Sequence, residues 1–288
     1  GSDRPATDPA GAGITPAGAS RAGAIVPTRA GGPAAGAGDR REALPDALYL
    51  AFEDCFRGRE EEIRARLADY VGLFEGTRDV ADIGCGRGEF LELLRERGIG
   101  ARGVDANPAM VAACRARGLS AEVGDALAWL EARPEASLGG LFAAQVVEHF
   151  EPAYLVRFLR EAARALAPGA RIVLETVNPV SWVAFSGSFL RDPTHAAALH
   201  PVTLKFLLVA AGFEEVEIRF RSPLAERDRL RRLPALPAPP PGAPAEVRRL
   251  AELVEAFNLN MERLNDVLFA PLDYAAIGRK TAGGGPAA

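Results

Sequence analysis

Lysine is almost missing from this chain. Of 34 basic side chains only Lys205 and Lys280 are lysines, while glycine (30) and proline (22) are abundant, a bias of a GC-rich bacterial genome rather than of a function. A basic excess is missing too. The 38 acidic residues leave a net charge of −4, so no long-range field draws the chain to nucleic acid and no nucleic-acid partner is expected. The basic cluster RDRLRRLP at 227–234 follows Glu226 and contains Asp228; it reads as a solvated helix face. Cysteine is sparse: Cys55, Cys85 and Cys114 show no CxxC spacing, which argues against a disulfide framework or a cysteine metal site. No apolar run reaches the roughly 20 residues of a membrane span, and the first residues hold no continuous apolar core of a secretory leader. A reducing cytoplasm is the expected setting.

What is present suffices for one sizeable core, since 48% of the 288 residues are hydrophobic. Residues 1–42 are Ala, Gly, Pro and Thr with few large apolar side chains, too little to offset the entropy of ordering, so they are expected to be disordered, as is the tail at 281–288. The folded domain is expected over 43–280. Within it, Ile63, Leu67 and Val71 fall at i, i+4 and i+8 and predict a helix ahead of the first strand.

The segment DVADIGCGRGEF, residues 79–90, carries the most information. An apolar run through Val80, Ala81 and Ile83 predicts a buried strand; Gly84, Gly86 and Gly88 predict a turn that can take positive φ and admit a ligand to the backbone; GEFLELLRERG predicts the helix that follows. The spacing differs from the dinucleotide fingerprint, because Gly88 follows Gly86 by two and an acidic Asp82 precedes Gly84. A carboxylate there repels a pyrophosphate and accepts from an ammonium. S-adenosylmethionine carries an ammonium and a sulfonium. Roughly 20 residues on, Asp105 ends a second strand and is placed to take ribose hydroxyls. Gly124 and Asp125 follow a third short strand, where a carboxylate can accept from an adenine amino group.

These motifs, with YLAFEDCFRGREEEI, FAAQVVEHFEP, APGARIVLETVNP, LRDPTHAAALHPVTLKFLLVAAGF and LNDVLFAPLDYAAIGRK, resemble the class I S-adenosylmethionine-dependent methyltransferases, and within them a bacterial subgroup associated with surface-polysaccharide biosynthesis and sugar O-methylation. The resemblance runs from about Tyr49 to Lys280. It implies an α/β, Rossmann-like fold: a seven-stranded, mostly parallel sheet with helices on both faces and a helical insertion before the last strand. It implies S-adenosylmethionine as cofactor and S-adenosylhomocysteine as product. Asp82, Gly84, Gly86 and Gly88 would hold the methionine end, Arg57 its carboxylate, Asp105 and Ala106 the ribose side, and Gly124, Asp125 and Ala126 the adenine, with Gln145 lining the pocket through its backbone.

The acceptor should lie outside the carboxyl ends of the strands, where the chain crosses between the two halves of the sheet. All three histidines fall in the two segments expected there: His149 in QVVEHF, and His195 and His200 in DPTHAAALHP. An alcohol acceptor must lose its proton as it attacks, which calls for a base or a metal. Glu148, His149, His195 and Asp192 are the catalytic candidates. Each also has a structural reading: a strand-end hydrogen bond for Glu148 and His149, a turn for Asp192-Pro193-Thr194-His195, a helix entry for His200-Pro201. Glu148-His149 further resembles the Glu-His pair with which ubiquinone-pathway and small-RNA 2′-O-methyltransferases hold a divalent ion. Gln145 stands where those carry another carboxylate, and an amide is a poorer ligand for a hard cation, so the base is favoured over the metal; an ion, if bound, would use Glu148, His149, His195 and His200.

LGGLFAAQVV and ARIVLETVN predict further strands around the helix EPAYLVRFLREAARALAPG, and FEEVEIRFRS and DYAAIGRK the last two. Residues 223–270 insert a proline-rich tract and a long amphipathic pattern with Leu250, Leu253, Phe257, Met261, Leu264 and Leu268 on one face. That face either packs on the parent domain or forms a lid or a homodimer contact through 246–268. The function read from all this is O-methylation of a sugar hydroxyl on a surface glycan or glycosylated metabolite, with a phenolic or quinone precursor, or a non-catalytic binding subunit, as alternatives.

Overall fold

The computed structural model describes residues 59–282, all within one unit spanning 43–288. The 1–42 segment, Arg57 and residues 283–288 lie outside the described residues. Helix α1 (Glu60–Val71) buries Ile63, Leu67, Tyr70 and Val71, the predicted stripe with a tyrosine added. Strand β1 (Val80–Ile83) is buried along its whole length, as expected of a parallel strand covered on both faces. Then follow α2 (Glu89–Glu96), β2 (Ala101–Asp105), α3 (Pro108–Ala116), β3 (Ala121–Val123), α4 (Ala126–Glu131), β4 (Leu138–Ala144), α5 (Pro152–Ala165) and β5 (Leu166–Val177). A short turn α6 (Trp182–Ala184) runs into a π-helical turn, Phe185–Phe189; α7 (Pro201–Ala210), β6 (Phe213–Arg221), α8 (Ala245–Leu268) and β7 (Asp273–Lys280) complete the chain. Helix α7 begins on Pro201, whose fixed φ suits a first turn, and Gly212 behind it takes φ 96°.

The seven strands are ordered β3-β2-β1-β4-β5-β7-β6. Neighbours are parallel except for β7, which runs antiparallel to β5 and β6. Ile83 lies beside Val104 on one side and Ala143 on the other, so the loops after β1, β2 and β4 leave the sheet at one level. Strand order reverses between β1 and β4, which opens the cleft that such sheets use for ligands. On one face Phe90 stacks on Phe142 at 3.8 Å between Tyr70 and Phe74; on the other, α5 and α7 bury Leu155, Phe158 and Leu204 against Leu141 and Tyr274. No helix among the described residues is long and apolar enough to cross a membrane.

Three expectations are corrected. Strand β4 stops at Ala144 instead of running on to Val147, because Gln145 turns to φ 57° and breaks the ladder. The 227–234 cluster is not a helix face. Only Glu226–Asp228 form a 3-10 turn; beyond it the chain lies along α8, with Arg232 paired to Glu262 at 2.6 Å. The six apolar positions of α8 do not share one environment among the described residues: Leu250, Leu253, Phe257 and Leu264 are exposed, Met261 and Leu268 are half-buried, and the buried positions are Asn258 and Asn265.

Candidate active site

The glycine turn is built as its sequence requires. Gly84, Gly86 and Gly88 have φ of 67°, 53° and 89°, and Gly88 enters α2 as a left-handed N-cap. A Cβ on Gly84 would collide with Val146, and one on Gly88 would lie 2.6 Å from Leu119 Cδ1, so the turn excludes side chains. Asp82 is 3% exposed at the end of β1. Asp105 accepts from the Gly86 amide at 2.9 Å and from the Asn107 amide at 2.8 Å, so one carboxylate braces the turn and keeps lone pairs for a further donor. Ala106 follows it. Asp125 caps α4 through the Ala128 amide at 2.9 Å and accepts from the Tyr154 hydroxyl at 2.7 Å; Gly124 and Ala126 flank it. Tyr154, one turn into α5, carries no motif that could have announced it.

Gln145 donates its amide N–H to the Glu175 carbonyl at 2.8 Å and its side chain to Asp273 at 3.1 Å. It thereby joins a buried set to which the sequence reading assigns no role: the Tyr70 hydroxyl donates to Glu175 at 2.5 Å, and Arg66 lies 3.4 Å from the other Glu175 oxygen. Burial raises the Glu175 carboxyl, while Arg66 opposes the shift. Glu175 and Thr176 are adjacent on β5 and so point to opposite faces, separating this set from the histidines.

On the other face, three segments converge. Glu148 and His149 sit in a 3-10 turn after β4. Glu148 is 1% exposed, and burial pushes its carboxyl up to about 8. One of its oxygens accepts from the Thr176 hydroxyl at 2.8 Å; the other has no hydrogen-bond partner among the described residues. Its carbonyl accepts from the amides of Ala196 and Ala197 at 2.8 and 3.0 Å, which draws the 192–197 segment over the turn. The rings of His149 and His195 are then 4.7 Å apart, and a ligand atom from each of Glu148, His149 and His195 lies within 4.8 Å of the others. His200 is not brought to this cluster. It is exposed at the start of α7, where its Nδ1 accepts from the Val202 amide at 3.2 Å.

The hydrogen bonds fix both imidazole tautomers. Thr194 gives its only hydroxyl proton to Asp192 at 2.6 Å, so toward His149 Nδ1, 3.0 Å away, it accepts; His149 therefore carries its proton on Nδ1 and a lone pair on Nε2. His195 Nδ1 faces the Phe189 carbonyl at 2.8 Å, which likewise leaves its Nε2 basic. Burial, and then the neighbouring His195, hold the His149 pKa below its ordinary value, keeping the imidazole neutral. Asp192 lies 3.8 Å from His195 Nε2. From His195 an aromatic run leads outward: Phe189 stacks on it at 4.9 Å, Phe185 on Phe189 at 5.6 Å, and Trp182, 56% exposed, ends it at 6.2 Å.

Residues 81–174 match the model of a methyltransferase domain family. A probable S-adenosylmethionine-dependent methyltransferase of Mycolicibacterium smegmatis is 31% identical over 182 residues, 62% of this chain and 70% of its own. A trans-aconitate 2-methyltransferase of Mycobacterium tuberculosis is 34% identical over 160 residues, 53% of this chain and 51% of its own, so the chain spans about half the length of that relative. The crystal structure of a SAM-dependent methyltransferase from Archaeoglobus fulgidus superposes with a TM-score of 0.72 at 38% identity, covering 81% of this chain and 99% of the other. With the seven-stranded order and the glycine turn already in place, the chain belongs to the S-adenosylmethionine-dependent methyltransferases and has their Rossmann-like fold.

Proposed function

We propose that this methyltransferase transfers a methyl group to a hydroxyl of a sugar-like acceptor in the cytoplasm, with His149 as the base. The convergence of Glu148, His149 and His195 at the carboxyl end of β4, with an aromatic run leading to it, carries this reading. Bound S-adenosylmethionine supplies an electrophilic methyl. The site fits it because side chains are excluded from the turn at Gly84 and Gly88 and carboxylates stand at Asp82, Asp105 and Asp125. Asp82 and the glycines would then hold the methionine end, Asp105 the ribose and Asp125 the adenine; Arg57, outside the described residues, would take the methionine carboxylate. The stacked rings of Phe185 and Phe189 offer apolar faces to the C–H side of a sugar ring. His149 Nε2 takes the hydroxyl proton, and Thr194, held by Asp192, keeps the imidazole in that tautomer. Free, buried Cys85 and Cys114 suit a reducing compartment.

One observation favours a second arrangement at the same place. Among the described residues, Glu148 has a buried oxygen without a hydrogen-bond partner beside two imidazole nitrogens, a donor set that fits a divalent cation; Glu148, His149 and His195 would hold it. The relative's trans-aconitate acceptor is less suited to the cluster, since the Asp192 carboxylate beside His195 would face its carboxylates. The test is methyl transfer from labelled S-adenosylmethionine to nucleotide sugars and oligosaccharides, to phenols, and to trans-aconitate, each with and without chelator. Sugar O-methylation that survives chelator is the expected result. Methylation of trans-aconitate alone overturns the acceptor, and loss with chelator that Mg²⁺ restores replaces the base by the ion.

A further inference from the structure

Among the described residues, helix α8 meets its surroundings on one side only. Asn258 and Asn265 are buried there and grip the preceding segment by paired hydrogen bonds: Asn265 accepts from the Leu230 amide and donates to its carbonyl, both at 2.9 Å, and Asn258 does the same to Leu233 at 2.8 and 3.0 Å. The Leu272 amide donates to the Ser222 carbonyl at 3.1 Å, so the insertion returns to the sheet through a narrow neck.

One residue earlier around the helix lies a second stripe: Leu250, Leu253, Phe257, Asn260, Leu264 and Val267. Its spacing alternates three and four, the heptad repeat by which one helix pairs with another. Leu253 is 67%, Val267 58% and Leu250 54% exposed, so among the described residues nothing covers it. One residue further around comes a charged flank, Arg249 and Glu252 near the start of the helix and Arg263 and Asp266 near its end. Asp266 has Arg229 only at 4.0 Å, and the other three form no ion pair among the described residues.

We propose that this stripe is the interface for a second copy of the chain, with the two α8 helices antiparallel. In that arrangement Leu250 meets the partner's Val267, Leu253 meets the partner's Leu264, and Phe257 meets the partner's Asn260. The same two-fold brings the charged flanks together. Arg249 then faces the partner's Asp266 and Glu252 the partner's Arg263, each pair occurring twice. A parallel pairing gains none of this, because it sets each charged flank against the side occupied by Asn258 and Asn265. Asn260, the polar member of the stripe, lies beside the two-fold axis, where one polar residue in an apolar seam fixes register.

Light scattering on the full-length protein at tens of micromolar is expected to give the mass of two chains. Leu253→Glu should give one chain while leaving the circular dichroism and cofactor binding unchanged. Arg249→Glu should weaken association by roughly tenfold or more by opposing like charges, and adding Asp266→Arg should restore it. In a Cys55→Ser background, Leu253→Cys with Leu264→Cys should cross-link between chains; within one helix these positions are about 16 Å apart and cannot bridge. A one-chain mass for the unaltered protein overturns the proposal, including the case where the stripe is covered by residues 1–58 of its own chain. Cross-linking by Leu253→Cys alone, without the paired cysteine, overturns the antiparallel arrangement.

Discussion

The glycine-turn end and the histidine end of the sheet, proposed to hold cofactor and acceptor, are built on different principles. Between β1 and β3 the parts are backbone and local: three left-handed glycines, and carboxylates of Asp105 and Asp125 that hold nearby amides. Beyond β4 the parts are side chains from distant segments, His149 from one turn, Thr176 from β5, and Asp192, Thr194 and His195 from the loop before α7. A backbone cradle tolerates no added side chain and binds one kind of ligand. A side-chain cluster can be re-aimed by changes in any of its segments, which suits the proposed acceptor site.

The largest effect expected from this difference is catalytic. His149→Ala should reduce kcat by roughly 10²–10⁴ with cofactor affinity nearly intact, measured by single-turnover kinetics and calorimetry. Loss of cofactor binding in that variant would break the division between the two ends. Asp105→Ala should do the reverse, weakening S-adenosylmethionine by roughly 10–100-fold through a lost charge-assisted contact of about 1.5–3 kcal/mol, with turnover recovered at saturating cofactor. Turnover that stays depressed at saturation would show that bracing of Gly86 also orients the methyl group.

Smaller effects should appear in stability. Gly88→Ala forces a Cβ toward Leu119 and Cys114 at a φ of 89°, and denaturant titration should show a loss of roughly 1–3 kcal/mol. The histidine end should instead reveal itself through pH. Glu148 titrates near 8 in the folded chain against an ordinary value of 4.5. Its contribution is complete below pH 4.5 and is lost as pH rises through about 8. His149 has the opposite sign: its depressed pKa gives a contribution present above 6.5 and lost as pH falls. Thermal melts of Glu148→Gln from pH 5 to 9 should therefore lose the alkaline decline and keep the acidic one. An unchanged alkaline limb would place that titration elsewhere.

The two ends also differed in how far they could be read from the residues alone. The order of strands and helices followed from periodicity, because each element's pattern is local; β7 was read residue for residue as DYAAIGRK. Apolar Val146 and Val147 continue the pattern of strand β4 past its end, and nothing local announces that Gln145 turns to positive φ. His195 was grouped with His149 from its loop, but His200, five residues on, was pulled away by its role at the start of α7. The apolar stripe of α8 was visible, yet a stripe has the same spacing whether it faces a core, a partner or water.

By itself, then, the sequence determined the glycine turn, the carboxylates at Asp82, Asp105 and Asp125 and the alternation of strands and helices, since these depend on φ/ψ preferences and on spacings of a few residues. The tertiary structure decided which histidines meet, which tautomers they hold, that Glu148 is buried with one oxygen unpaired among the described residues, and that α8 turns Asn258 and Asn265 inward and Leu250, Leu253 and Leu264 outward. Those outcomes depend on contacts between residues tens of positions apart, such as Thr176 with Glu148 and Leu230 with Asn265. No local propensity encodes which of many polar groups will share a buried site; burial removes water as the competing partner, and only the assembled fold selects the group that takes its place.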